Sequence, residues 1–272
     1  MAETGLGGKV AIVTGAGSRG EGIGNGRAAA ILLAREGAQV VLLDAVPEWA
    51  EVTRAMIAAE GGSAMVVSAD VADAASCAAA VAAAAARWGR VDVLVNNVGI
   101  AGPPGGAVEV DPGAWDSAMR INVASMMLMA KACIPEMRRV GGGAVVNLSS
   151  IDGIRGGNRN LLYATSKGAV VALTKAMAAQ HGAEGIRVNC VAPGYVFTPM
   201  VSVGGMDPGL RQARQAGNLL GVEGTGWDVG QAVVFLAGAM ARWVTGVVLP
   251  VDGGALAGTA GSVSPLGLPG RG

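Results

Sequence analysis

Tyr163 and Lys167 stand four residues apart in the run Tyr163-Ala164-Thr165-Ser166-Lys167. On a helix that spacing puts the phenol and the ammonium on one face. A cation so placed favours the phenolate, which predicts a tyrosine pKa below its ordinary value of about 10 and proton exchange with an alcohol near neutral pH. Thirteen residues upstream of the tyrosine, Asn147-Leu148-Ser149-Ser150 closes an apolar run with two hydroxyls. A hydroxyl at the carboxyl edge of a parallel sheet can hydrogen-bond a substrate oxygen and stabilise its developing charge. Taken singly, a YxxxK pair is also an ordinary surface pair, and a strand-end serine an ordinary turn or cap.

A second group of residues points to a dinucleotide. The first apolar run ends in Thr14-Gly15-Ala16-Gly17-Ser18-Arg19-Gly20-Glu21-Gly22-Ile23-Gly24 and opens a helical segment. A Gly-rich turn from strand to helix lets the backbone approach a pyrophosphate, whose charge meets exposed amides and the positive helix end. An isolated glycine loop also serves as a tight turn with no ligand. Here the second strand ends in Asp44, about 20 to 30 residues beyond the glycines, where a carboxylate binds ribose hydroxyls and repels a 2′-phosphate. The pattern predicts NAD in preference to NADP, with Arg19 as the one residue of the loop that could accept the extra phosphate.

These groups need elements to hold them. Short β-branched runs at 9–14, 39–43, 64–69, 91–96, 143–148, 186–191 and 247–251 alternate with Ala-rich helical segments at 24–36, 48–60, 74–88, 112–140, 161–181 and 227–239. That alternation predicts an α/β protein: a doubly wound parallel seven-stranded sheet with helices on both faces, three layers in all. Residues 1–254 read as one domain, 195–225 as a substrate loop that interrupts the rhythm, and 255–272 as a Gly- and Pro-rich tail. Pocket residues are expected from 151–162, 100–105 and 195–221, stretches that offer Ile154, Arg155, Asn158, Arg159, Leu161, Tyr195, Phe197 and Met200.

Composition narrows the partners. The chain is 51% hydrophobic and 15% charged with zero net charge, and its basic residues form no dense cluster, which argues against a nucleic-acid partner. Cys77, Cys133 and Cys190 are far apart, without CxxC spacing or a nearby histidine, so neither a metal site nor a disulfide framework is predicted. No secretory signal or membrane span is read from the sequence, and free thiols suit a cytoplasmic setting. His181, the one histidine, reads as a helix-end residue and not a catalyst.

Together these motifs resemble the short-chain dehydrogenase/reductase family over nearly the whole chain: the TG…GIG loop, Asp70-Val71, Asn96-Asn97-Val98-Gly99, Asn122, Ser150, Tyr163 and Lys167, Pro193-Gly194 with Thr198, and Val251-Asp252-Gly253-Gly254. The resemblance implies a Rossmann-type fold and hydride transfer between NAD(H) and a secondary alcohol or ketone. Tyr163 would be the general acid/base and Ser150 would position the substrate oxygen. Lys167 would tune Tyr163 and bind the nicotinamide ribose, and Asn122 would hold a relay water. Gly15, Gly17, Gly22, Ile23, Gly24, Asp44, Asp70, Val71, Asn97, Gly99, Pro193, Val196 and Thr198 would line the cofactor path. It also implies a homotetramer assembled through the long helices and the last strand. Two features depart from the pattern: the GIG triplet comes three residues late, leaving open which of Gly17, Gly20 and Gly22 touches phosphate, and Val98 replaces the usual alanine. Two alternatives keep the same fold: a non-catalytic NAD(H) sensor, or an epimerase or dehydratase that uses the cofactor transiently.

Overall fold

The computed structural model describes residues 4–202 and 205–258. Seven strands, β1 (Val10–Thr14), β2 (Gln39–Asp44), β3 (Ser63–Ser68), β4 (Val93–Asn96), β5 (Gly143–Leu148), β6 (Ile186–Pro193) and the later Val248–Val251, make one sheet in which every described pairing is parallel. Between β6 and that last strand, β7 (Val196–Phe197) and β8 (Gly224–Thr225) form a separate two-stranded ladder, so the seventh strand of the large sheet is β9. The order is β3-β2-β1-β4-β5-β6-β9. It reverses direction between β1 and β4, the switch point where open α/β sheets open a crevice for ligands.

Alternation along the strands explains the three layers. In β1, Val10 and Ile12 face one apolar cluster and Ala11 and Val13 the other, and all four are fully buried. A parallel strand covered on both faces must be apolar throughout. Helices α1 (Asn25–Arg35), α2 (Pro47–Ala59) and the later Gly226–Ala237 cover one face, and α3 (Ala74–Trp88) with the helices after β4 and β5 covers the other. The expected doubly wound three-layer fold is the observed one.

Two segments differ from expectation. The single helix predicted over 112–140 is α4 (Pro112–Met119), a π turn (Arg120–Ala124) and α5 (Ser125–Arg139). The wider turn coincides with Asn122, whose side chain is fully buried and bonded to the backbone of Ile100 instead of pointing to solvent. After β5 comes a 3₁₀ turn (Ile151–Gly153) and then α6 (Leu161–His181). The 195–225 region carries β7, α7 (Pro199–Ser202), α8 (Pro208–Ala216) and β8, and leads into α9 (Gly226–Ala237). Of the predicted tail, residues 259–272 lie outside the described residues.

Candidate active site

A cavity of about 710 Å³ opens at the switch point. Its wall runs from Gly15, Gly17 and Asp44 at one end, past Asn97 and Gly99, to Ser150, Tyr163, Lys167 and Thr198. The carboxyl ends of β1, β2, β4 and β5 thus deliver both predicted groups to one crevice. Gly15 turns the chain out of β1 with φ +62°, and a Cβ there would meet the Asn97 side chain at 3.0 Å. Thr14 joins the two strand ends: its hydroxyl accepts from the Asn97 amide at 2.9 Å and donates to the Val95 carbonyl.

The reacting side chains come from β5 and α6. Ser150 leaves β5 in extended backbone, caps the 3₁₀ turn by accepting from the Asp152 amide, and keeps its hydroxyl proton for another partner. Ser149 is spent elsewhere, donating to the Lys167 carbonyl at 2.7 Å. Lys167 is buried, with Nζ 2.9 Å from the Leu148 carbonyl and 5.8 Å from the centre of the Tyr163 ring. Burial lowers its pKa to about 8.

Tyr163 departs from expectation. Burial raises its pKa, the hydrogen-bonding Ser150 hydroxyl opposes the rise, and the Asp152 carboxylate adds to it. The predicted lowering by Lys167 is not seen, because the ammonium lies beside the ring and gives its hydrogen bond to Leu148. Asn122 sits behind this group: Oδ1 accepts from the Ile100 amide, and Nδ2 donates to the Ile100 carbonyl and to Ser166. Both amide protons are therefore used, and a water could be held only through a remaining lone pair of Oδ1 or by the main-chain carbonyl.

Comparison with known proteins agrees with this geometry. A family model described as enoyl-(acyl carrier protein) reductase matches residues 18–255. A cis-4-hydroxycyclohexanecarboxylate dehydrogenase of Sinomonas cyclohexanicum is 41% identical over 90% of this chain and 96% of its own. A 2,5-dichloro-2,5-cyclohexadiene-1,4-diol dehydrogenase of Sphingobium indicum is 37% identical over 92% and 96%. Among solved structures, a short-chain dehydrogenase/reductase from Burkholderia xenovorans superposes with a TM-score of 0.88 at 42% identity, covering 93% of this chain and 98% of that one. The chain belongs to the short-chain dehydrogenase/reductase family. Membership makes it an oxidoreductase with a nicotinamide cofactor.

The chain's own residues fit such a dinucleotide. A Cβ on Gly17 would lie 2.5 Å from Trp49 Cβ and 2.8 Å from Asp44 Oδ2, and one on Gly99 would lie 3.0 Å from Lys167 Nζ. Glycine at these two points lets the chain pack directly against Trp49 with Asp44 and against Lys167, where a side chain has no room. The Asp44 carboxylate is fixed by two main-chain amides, Gly17 to Oδ2 at 2.9 Å and Val46 to Oδ1 at 3.1 Å. On the floor, the buried Oδ1 of Asn25 has no hydrogen-bond partner among the described residues, as a polar group awaiting a polar ligand would.

Not every residue named from this short-chain dehydrogenase's sequence reaches the cavity. Asp70, Val71, Pro193, Val196, Thr198 and Gly24 line it; Gly20, Gly22 and Ile23 do not. Of the three glycines left open, Gly17 is the one on the wall. Of the eight pocket candidates only Met200 lines the cavity. Arg155 instead donates to the Tyr195 hydroxyl and the Ala255 carbonyl, Asn158 donates to Asp152, and Phe197 lies under the Arg211 guanidinium at 4.4 Å. Ile100, Pro199 and Val201 line the cavity too, within the expected pocket stretches 100–105 and 195–221, whereas Ile121, on the π turn, lies outside every stretch that sequence reasoning offered. No motif singled out Trp49 or Asp152, which the fold sets beside Gly17 and Tyr163.

Proposed function

We propose that this protein transfers a hydride between NAD(H) and a secondary alcohol or its ketone, on a compact, largely apolar substrate. The observation that carries this reading is the convergence of Ser150, Tyr163 and Lys167 on the cavity that Asp44 closes at its other end. Bound there, the nicotinamide supplies the hydride acceptor or donor. In oxidation Tyr163 takes the hydroxyl proton of the substrate, and in reduction it returns it. Ser150 turns its hydroxyl proton from Tyr163 to the substrate oxygen and holds that oxygen beside the phenol. Lys167 and Asn122 support the proton path behind Tyr163, and Lys167, whose Nζ lies beside Gly99, would hold the nicotinamide ribose. Ile100, Ile121, Pro199, Met200 and Val201 give the cavity an apolar wall. The ring alcohols in the names of the two dehydrogenases above are therefore the first substrates to try.

The cofactor reading is tested by titrating NADH and NADPH into the purified protein and following fluorescence and thermal shift. We expect NADH to bind more tightly by roughly tenfold or more, about 1.4 kcal/mol, because a 2′-phosphate would meet the Asp44 carboxylate. Asp44→Ala should narrow the gap. Tighter NADPH binding would instead assign the phosphate to Arg19, which is exposed, lines the cavity and makes no ion pair among the described residues.

We further propose that the enzyme is a homotetramer. Trp243 is 92% exposed, with Met240 and Phe235 also exposed near the outer strand β9, and Met127 is exposed on α5. Apolar side chains of that size on two separate faces suit two kinds of subunit contact. Light scattering at micromolar concentration should give four times the chain mass of 26.8 kDa. A monomer there would overturn the assignment.

A further inference from the structure

Arg27 is the third residue of α1 and is 2% exposed. The first turn of a helix is unfavourable for a cation, because the exposed amide dipoles point their positive ends at it. Burial disfavours the charge as well, with Asp44 the one opposing anion. An arginine kept there against both effects must be held by what it bonds. Its Nη1 donates to the Gly22 carbonyl at 2.6 Å, its Nε to Thr53 Oγ1 at 3.0 Å and its Nη2 to the Trp49 carbonyl at 3.3 Å. Thr53, fully buried, passes the connection on to the Ala16 carbonyl at 2.8 Å.

These acceptors lie at strategic points. Ala16 and Gly22 are the two ends of the enlarged glycine loop, and Trp49 and Thr53 belong to α2, whose start packs over Gly17 and Asp44. Among the described residues, the bond from Arg27 to Gly22 is the only hydrogen bond made by any residue of 18–23. Residues 18–23 are thus hydrogen-bonded to the rest of the fold, among the described residues, through one guanidinium, whose planar fork can reach several acceptors at once.

We infer that Arg27 is a positioning residue for the dinucleotide. It ties Gly22 directly, and Ala16 through Thr53, to α2, and so sets the loop backbone at Gly17 whose amide fixes Asp44. The inference rests on the nicotinamide reading of the cavity. It places the adenosine end under the control of Arg27 and leaves the Tyr163 end untouched.

The test compares the full-length protein with Arg27→Met, Arg27→Lys and Thr53→Val, measuring binding of NADH and of ADP-ribose by fluorescence and calorimetry. Turnover of a ring alcohol at saturating NAD is measured alongside. Arg27→Met should weaken both ligands by roughly tenfold or more while turnover at saturation stays within about twofold of wild type, a split that general loss of structure does not produce. Arg27→Lys keeps the charge but cannot reach three acceptors, and should fall between Arg27→Met and wild type. Thr53→Val, nearly isosteric, should show the same split at smaller size, and it decides the matter if Arg27→Met does not fold. Wild-type affinity in a folded Arg27→Met or Thr53→Val protein would overturn the inference, as would equal losses in affinity and turnover. Wild-type protein that binds neither NADH nor ADP-ribose would overturn the cofactor reading and this inference with it.

Discussion

Tyr163→Phe should lower turnover by roughly a hundredfold to ten-thousandfold, the size of effect that one positioned acid/base group supplies. It should do so without disturbing NADH affinity, since the variant loses one oxygen from a ring whose packing is unchanged. The pH dependence follows from the direction of the shift. Burial holds the phenol above its ordinary pKa, with Ser150 partly offsetting it. At neutral pH the group is therefore protonated and ready to act as the acid in ketone reduction. The phenolate needed for alcohol oxidation appears only as pH rises. Oxidation should accelerate with pH across the alkaline range and reduction should not, and the acceleration should vanish in the variant's residual rate. Steady-state assays in the two directions between pH 6 and about pH 10 check this, the upper limit being set by the reference tyrosine value. Full activity in Tyr163→Phe would remove the mechanism altogether. Product formation with no net change in NADH absorbance would instead favour an epimerase or dehydratase.

The sheet was readable because its signal is redundant. β1 and the middle of β2 are buried on both faces and appear as apolar runs, β5 and β6 keep mostly apolar runs around Asn147, Arg187 and Asn189, and the helices between them repeat at a different period. The break at Arg120–Ala124 was not readable. Nothing in the local sequence opposes a helix there; the π turn accompanies a tertiary contact, the Asn122 amide clasping the Ile100 backbone from twenty-two residues away. Propensity describes what a segment does alone, and here a distant partner decides.

The reacting residues were legible for a related reason: their spacing is local, with Tyr163 and Lys167 on one helix and Ser150 at the strand end just before it. Their electrostatics were not. Four-residue spacing says that the phenol and ammonium share a face, yet it cannot say that the ammonium turns to the Leu148 carbonyl, nor that Asp152 adds a negative charge beside the ring. The substrate wall was least legible, since Arg155 and Tyr195 look like pocket residues by type but spend their polar atoms on each other. Arg27 reads from sequence as an ordinary helix residue; only its burial and its three acceptors reveal a strut.

Lys167→Met should separate activity from stability. Lys167 keeps a buried ammonium whose one hydrogen bond among the described residues goes to a carbonyl, and its pKa falls from 10.5 to about 8. Below pH 8 the folded protein carries this charge at a cost that the unfolded chain does not bear, about 3 kcal/mol if each unit is worth 1.36 kcal/mol. Between the folded value and 10.5 the unfolded state binds more protons, so this group makes the protein more stable as pH rises through that window. Methionine fills a similar volume without the charge. At pH 7 the variant should melt higher by on the order of 5 °C, with part of the gain offset by the unpaired Leu148 carbonyl. The wild type should close the gap as pH rises from about 8 to 10. Turnover should fall by roughly a hundredfold or more, because the cation that supports proton transfer behind Tyr163 is gone. Differential scanning calorimetry at pH 7 and at about pH 10, beside turnover at pH 7, gives both readouts. A variant that melts below wild type at neutral pH would show that Lys167 is a structural residue paired by its surroundings. Higher stability with lost turnover would show a charge kept in the core at the expense of stability because the reaction needs it.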